Sequence, residues 1–411
     1  MTAPAAAEVE ATFRAESGRA VATLTRLFRD LDVAEEAVQE AFLQALRTWP
    51  ERGLPPNPGA WITTTARNRA LDRLRRESSR DRRQTEAHAV LTADEPPELQ
   101  PVVDDQLRLI FTCCHPALAE AARIALTLRL IAGLQTPEIA AAFLVPEATM
   151  AQRLVRAKKK IKAANIPYRV PEAAELPDRL RPVLHVIYLV FTEGHRASSG
   201  ADLVRADLCD EAIRLARLLA ELMPDEPEAL GLLALLLLTD ARRDARLDDA
   251  GDLVRLGDQD RTRWDRAEIA EGHDIVRQLL RRNQPGPYQL QAAIAAVHAD
   301  APTPEETAWD QVVALYDQLL AQLPSPVVRL NRAVAVAEAG DVSGALAEVD
   351  AVAGDLDGYL PLHAARGDLL ARLGRAEEAR TAFRAARALA TTDAERRFLD
   401  ERLRPEGERG R

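Results

Sequence analysis

Apolar residues in this chain recur three and four positions apart, the spacing that lines one face of an α-helix. Leu24, Leu27, Phe28 and Leu31 set the pattern, and Ala34, Val38, Ala41, Phe42, Ala45, Leu46 and Trp49 continue it. Pro50 and the Gly53–Gly59 stretch, with Pro55, Pro56 and Pro58, break it. Asn57-Pro58 then has the form of an N-cap followed by proline in the first turn, opening a helix through about Arg76. Composition agrees with this reading. Aromatics make up only 4%, whereas Ala, Leu and Arg, which favour helix over strand, are abundant. The expected fold class is all-α.

Charge divides the chain. Its 411 residues carry 54 Lys+Arg against 64 Asp+Glu, a net −10. Residues 1–163 hold 23 basic and 21 acidic side chains, net +2, and residues 164–411 hold 31 and 43, net −12. The lysines are confined to Lys158, Lys159, Lys160 and Lys162. Phosphate neutralisation is short-ranged, so nucleic-acid binding is decided by local patches and the bulk acidity does not exclude it. At roughly 100–200 residues per domain the length accommodates two to four domains. The expected layout is a helical domain over 10–83, an acidic linker over 84–103, a second helical domain over 104–165 and a helical tail over 178–404. Pro96, Pro97 and Pro101, with Glu86, Asp94, Glu95 and Glu98, mark the linker, and Pro167, Pro171 and Pro177 precede the tail.

The tail contains a countable repeat. Gly367, Leu370, Gly374, Ala379, Phe383 and Ala386 are matched 34 residues earlier by Ala333, Val336, Gly340, Ala345, Val349 and Val352. A 34-residue period with small residues at these places resembles the tetratricopeptide helix-turn-helix, whose small side chains let paired helices approach closely. A generic helical bundle is the alternative.

Two segments carry the basic charge. In 136–162, Ile139, Ala140 and Phe143 form a short apolar face, Leu144-Val145 turn, and Pro146 opens a second helix with Met150, Leu154, Val155 and Ile161 inward. So tight a connection suggests a helix-turn-helix, whose second helix enters the major groove by its N-terminal end. Glu147, Thr149, Gln152, Arg153 and Arg156 form the expected groove-facing set. Six basic residues from Arg153 to Lys162, Lys159 among them and with no acid between, suit phosphate contacts. In 57–83, eight arginines stand against Asp72, Glu77 and Asp81, and Trp61, Thr65, Asn68, Asp72 and Arg75 share one face. An aromatic and amides on a cationic helix suit single-stranded nucleic acid, where bases stack and phosphates pair. The same pattern equally fits a plain solvated helix.

The wording and order of these segments carry a resemblance. DVAEEAVQEAFLQALRTW (Asp32–Trp49) followed by NPGAWITTTARNRALDRLRR (Asn57–Arg76) closely resembles conserved region 2 of bacterial sigma factors, and residues 136–162 resemble their region 4. The short linker points to the extracytoplasmic-function group. YLVFTEGH (Tyr188–His195), DLCDEAIRLARLL (Asp207–Leu219), PDEPEALGLLALLLL (Pro224–Leu238) and DQDRTRWD (Asp258–Asp265) look like the C-terminal extension of a subgroup with tetratricopeptide-like tails. The resemblance implies an RNA polymerase sigma factor, with core polymerase and promoter DNA as partners and no catalytic activity of its own. Asp32, Glu36, Gln39, Glu40 and Phe42 would dock on core. Asn57, Trp61, Arg67, Asn68, Asp72 and Arg75 would lie at the −10 element, and the second helix of 136–162 would read the −35 element. The tail would act as a built-in regulator or a platform for a regulatory protein. The rival reading is a helix-turn-helix regulator acting without polymerase, which leaves Asp32–Trp49 unexplained.

Catalytic, metal and cofactor roles find no support in the residues. Cys113, Cys114 and His115 are adjacent and cannot wrap one tetrahedral zinc without distant partners. Asp258, Asp260 and Asp265 alternate with Arg261, Arg263 and Arg266, which points to internal ion pairs at a turn. Three cysteines, too few and too badly spaced for a disulfide framework, suit a reducing cytoplasm, and the N-terminus lacks the basic start and apolar run of a signal peptide.

Overall fold

The computed structural model describes residues 6–78, 103–143, 145–196, 204–248 and 251–404. Residues 84–102 of the linker expected over 84–103, with Arg80, Arg82 and Arg83 before it, lie outside them, as does Leu144, and Val103 already begins a helix. Among the described residues the regular structure is helical, apart from an isolated antiparallel bridge between Leu247 and Leu253. The chain forms two compact units, Met1–Ile187 and Tyr188–Arg411.

The first unit opens with α1 (Ala6–Phe28), α2 (Leu31–Arg52) and α3 (Pro58–Ser78), each packed against the other two. Phe13, Leu24, Val38, Trp49, Ile62 and Ala66 are buried between them. Asp30 caps α2 by accepting from the Asp32 and Val33 N–H groups at 2.8 and 3.2 Å. Pro50 does not end this helix, which runs to Arg52 and stops where Gly53 takes φ +80°. Asn57 caps α3 as its sequence suggests, Oδ1 accepting from the Ala60 N–H at 3.0 Å.

Helices α4 (Val103–Cys113), α5 (Glu120–Leu126), α6 (Thr136–Ala142) and α7 (Glu147–Ala163) complete the helical core of this unit. A π-helical turn, Thr127–Ile131, continues α5. Helix α7 packs on α5 and α6, and α1 packs on α4 and the π turn. The last contact depends on Gly18, because a Cβ there would sit 2.5 Å from the Ile131 carbonyl oxygen. Arg26 Nε donates to the buried Asp105 at 2.7 Å, and the Tyr168 hydroxyl lies 2.8 Å from the Ala22 carbonyl. Helix α8 (Leu176–His195) spans the division between the units.

The second unit continues through α9 (Ala206–Leu222), α10 (Pro227–Asp240), α11 (Arg266–Arg282), α12 (Pro287–Asp300) and α13 (Trp309–Gln322). It ends with α14 (Pro326–Glu338), α15 (Val342–Ala351), α16 (Leu360–Arg372), α17 (Ala376–Leu389) and α18 (Asp393–Leu403). From α9 onward each helix packs on its successor. Helix α10 is apolar nearly all round and correspondingly buried, as a helix without a solvent face must be. No described helix is long and apolar enough to cross a membrane.

The 34-residue period has a physical counterpart in the α14–α15 and α16–α17 hairpins. Gly340 and Gly374 both take positive φ, +112° and +75°, just past the first helix of each pair, where a side chain would be strained. Gly367 lies against Phe383, whose ring would be 2.7 Å from an added Cβ. The equivalent positions one period earlier are Ala333 and Val349, both fully buried in the same core. The larger small residue thus goes with the smaller partner, keeping the interhelical volume nearly constant.

Candidate nucleic-acid interface

The apolar stripe of α2 (Ala34, Ala37, Val38, Ala41, Ala45, Trp49) faces inward and leaves an acidic outer face. Asp32, Glu36 and Glu40 are exposed on it and Gln39 is half-buried. Phe42, expected to be an apolar anchor, is half-buried with its ring centroid 4.4 Å from that of Phe13. Its neighbour Leu43 is the residue that projects, 55% exposed. Helix phase decides between them, since adjacent residues differ by about 100° around the axis. Glu36 pairs with Arg73 of α3, and Arg69 donates to the Gln44 side chain at 3.0 Å.

On α3, Asn68, Asp72 and Arg75 are exposed and Arg67 is half-buried. Asp72 lies 3.7 Å from Arg75. Trp61 corrects the expectation of a free stacking surface: it is half-buried, edge-on to Trp49 at 5.2 Å and 65°. The break at Gly53 turns the chain so that the last aromatic of α2 meets the first of α3. Asn57 is committed through Oδ1 to its cap.

On α7, Met150, Leu154, Ala157 and Ile161 form the buried stripe, following the helical i, i+4, i+7, i+11 rhythm. Val155, expected inward, is 47% exposed, because one residue on from Leu154 turns it out of the stripe. Glu147, Thr149, Gln152, Arg156 and Lys159 are exposed and Arg153 is half-buried. The outward face therefore combines cations, an amide and one branched apolar group, a set able to contact phosphates, base edges and a thymine methyl.

The residues that sequence reasoning missed join these surfaces. Glu35 is only 8% exposed and accepts from Arg129 Nε at 2.6 Å and Lys158 Nζ at 3.0 Å. Lys158 also reaches Asp32 at 2.5 Å. Burial alone would lower the lysine's pKa, but Glu35 and Asp32 outweigh it and hold the ammonium above its ordinary range. Asp32, expected to face polymerase, is thus tied to the helix expected to read DNA. The signal was in the phase of α2: Glu35 borders the stripe between Ala34 and Val38, whereas Glu36 faces out.

The described residues contain no cluster of three metal-ligating side chains. Cys113 and Cys114 are buried, and burial raises both thiols, Cys114 to about 11. In DQDRTRWD the acids mostly cap rather than pair. Asp260 accepts from the Thr262 N–H at 2.9 Å and Asp265 from the Ala267 N–H at 2.8 Å, while Asp258 pairs with Arg255 outside the motif at 2.8 Å. Short aspartate side chains reach the backbone two residues on more readily than a neighbouring guanidinium.

Residues 12–80 match the family model for sigma-70 region 2 and residues 108–161 that for sigma-70 region 4. Residues 179–280 match a family of unknown function, DUF6596. An uncharacterised protein of Rhizobium meliloti is 48% identical over 387 residues, 93% of this chain and 92% of that protein. A probable ECF RNA polymerase sigma factor, SigI of Mycobacterium tuberculosis, is 29% identical over 170 residues, covering 40% of this chain and 58% of that one. The ECF RNA polymerase sigma factor SigK of Mycolicibacterium vanbaalenii is 28% identical over 151 residues, 34% of this chain and 75% of that protein. Two such domains in this order are the arrangement expected of an RNA polymerase sigma factor. The chain thus carries sigma-70 regions 2 and 4 in order, which supports an ECF-type sigma-70 factor, and its similarity to the Rhizobium protein extends over nearly the full length of both.

Proposed function

We propose that the chain directs core polymerase to a specific class of promoters through three surfaces. The acidic face of α2 (Asp32, Glu36, Gln39, Glu40, with Leu43 beside Phe42) docks on core, where carboxylates around an apolar centre give steering and register. Helix α3 meets the −10 element with Arg67, Asn68, Asp72 and Arg75, beside Trp61 on its seat against Trp49. The outward face of α7 reads the −35 element with Glu147, Thr149, Gln152, Arg153 and Arg156, while Lys159 contacts phosphate. The helical tail serves as a built-in regulator of tetratricopeptide type. Its stacked hairpins with matched glycine turns support that reading, since stacked helix pairs create an extended binding surface.

The observation that carries the promoter role is α7 itself: a buried stripe behind a helix-turn-helix connection, with the opposite face cationic and free of acids beyond Glu147. Arg153→Ala tests it. Affinity for core should be unchanged, while selectivity at the −35 side falls roughly tenfold in a promoter-library competition, the scale of one good base contact. Unchanged selectivity would remove Arg153 from the reading set.

A further inference from the structure

Stretches of the second unit that the promoter and polymerase surfaces leave unused converge on one cavity. It has a volume of about 270 Å3 and lies between the end of α8 (Arg196), the segment after α10 (Arg246, Leu253), the start of α16 (Leu360, Ala364) and α18 (Phe398). Arg397 closes the arrangement by pairing with Asp252 and donating to the Gly251 carbonyl at 2.9 Å, pinning the bridged Leu247–Leu253 turn to α18.

The charges in its wall do not balance. Arg196 donates twice to Glu395 Oε1, at 3.0 and 2.6 Å. Glu395 is buried, and its other oxygen accepts from the Thr391 and Thr392 N–H groups at 3.1 and 3.2 Å within the capping box of α18. That carboxylate is fully engaged. Arg246 gives one N–H to the His195 carbonyl, and its remaining N–H groups have no acceptor among the described residues. Arg242, half-buried nearby, has no carboxylate partner among them either. Asp240, the acid whose field reaches Arg246, is held by Arg243 at 3.0 Å. Burial, with the charge of Arg242 added, pulls Arg246 down to about 10. A half-buried cation with no counter-ion among the described residues is costly, and an anion in the cavity would offset that cost. The rest of the wall is apolar: Leu253, Leu360, Ala364, Phe398 and Leu399.

We propose that this cavity binds a small amphipathic carboxylate, its head on Arg246 beside the Arg196–Glu395 pair and its short apolar tail against Leu253, Leu360 and Phe398. The volume falls just below the roughly 300 Å3 at which pockets for drug-sized ligands begin, which restricts the tail to a few carbons or one ring. The site stands on the second unit alone and holds whatever the promoter reading of α7 proves to be.

The test is calorimetric titration and thermal melting of the full chain with hexanoate, against hexan-1-ol (tail without charge), acetate (charge without tail) and inorganic phosphate. Hexanoate should bind and raise the melting temperature, and the three controls should do neither at equal concentration. Arg246→Met keeps the aliphatic stem and should weaken hexanoate roughly tenfold or more, the scale of a charge-assisted hydrogen bond. Ala364→Met fills the apolar end without touching the charge and should weaken it too, so the result does not hang on the arginine variant folding. Absence of hexanoate binding, an equal response to hexan-1-ol, acetate or phosphate, or full affinity in Ala364→Met would overturn the proposal.

Discussion

At the scale of single residues, the first unit rests on one missing side chain. The Ile131 carbonyl approaches α1 where only Gly18 leaves room. Gly18→Ala should therefore cost about 1–3 kcal/mol in urea denaturation, the range for overpacking against backbone that cannot yield. The usual gain of alanine over glycine inside a helix would appear instead if that approach were loose. In the second unit Glu268 is pushed up to about 7, first by burial and then by the neighbouring charges of Asp240 and Asp265. The folded chain keeps a proton that the unfolded chain releases from about 4.5, so Glu268's contribution to stability is full below that pH, declines as pH rises and is lost above about 7. Glu268→Gln should flatten this part of the stability–pH curve. Parallel curves for variant and parent would assign the slope to other groups. Neither position was legible beforehand, because close approach and burial of a carboxyl depend on which helices meet, and spacing along one helix carries no such information.

At the scale of elements, more could be read. The phase of α2, the Asn57 cap and the matched glycines at 340 and 374 follow from residue spacing and backbone freedom, and all were visible in the chain. Val155 was a phase error within one helix, one step off a stripe that Ala157 completes, whereas Phe42 against Phe13 and Trp61 against Trp49 depend on where two helices meet. The Glu35 centre belongs to the same class, since its partners Arg129 and Lys158 lie 94 and 123 residues away. Its energetic weight is measurable by a double-mutant cycle of Lys158→Met with Glu35→Gln. Partial burial of both groups predicts a coupling of about 1–2 kcal/mol in the stability of the full chain. A coupling near zero would mean that water screens the pair as it does most surface ion pairs.

At the scale of the whole molecule, a net charge of −10 conceals a near-neutral region followed by an acidic tail of net −12. On the proposed function, the basic residues of α3 and α7 meet DNA and the acids of α2 meet a protein partner, so one chain would carry surfaces for a polyanion and for a protein. The matched sigma-70 regions end by residue 161, and the helices after them are numerous enough to form a unit of their own. The most direct measurement is reconstitution of the purified full chain with core RNA polymerase and a randomised promoter library, sequencing the transcripts that start. The chain should form a stable complex with core and initiate from a shared −10 and −35 sequence, both reduced by Glu36→Lys with Glu40→Lys. Promoter-independent DNA binding with no complex on core would contradict it.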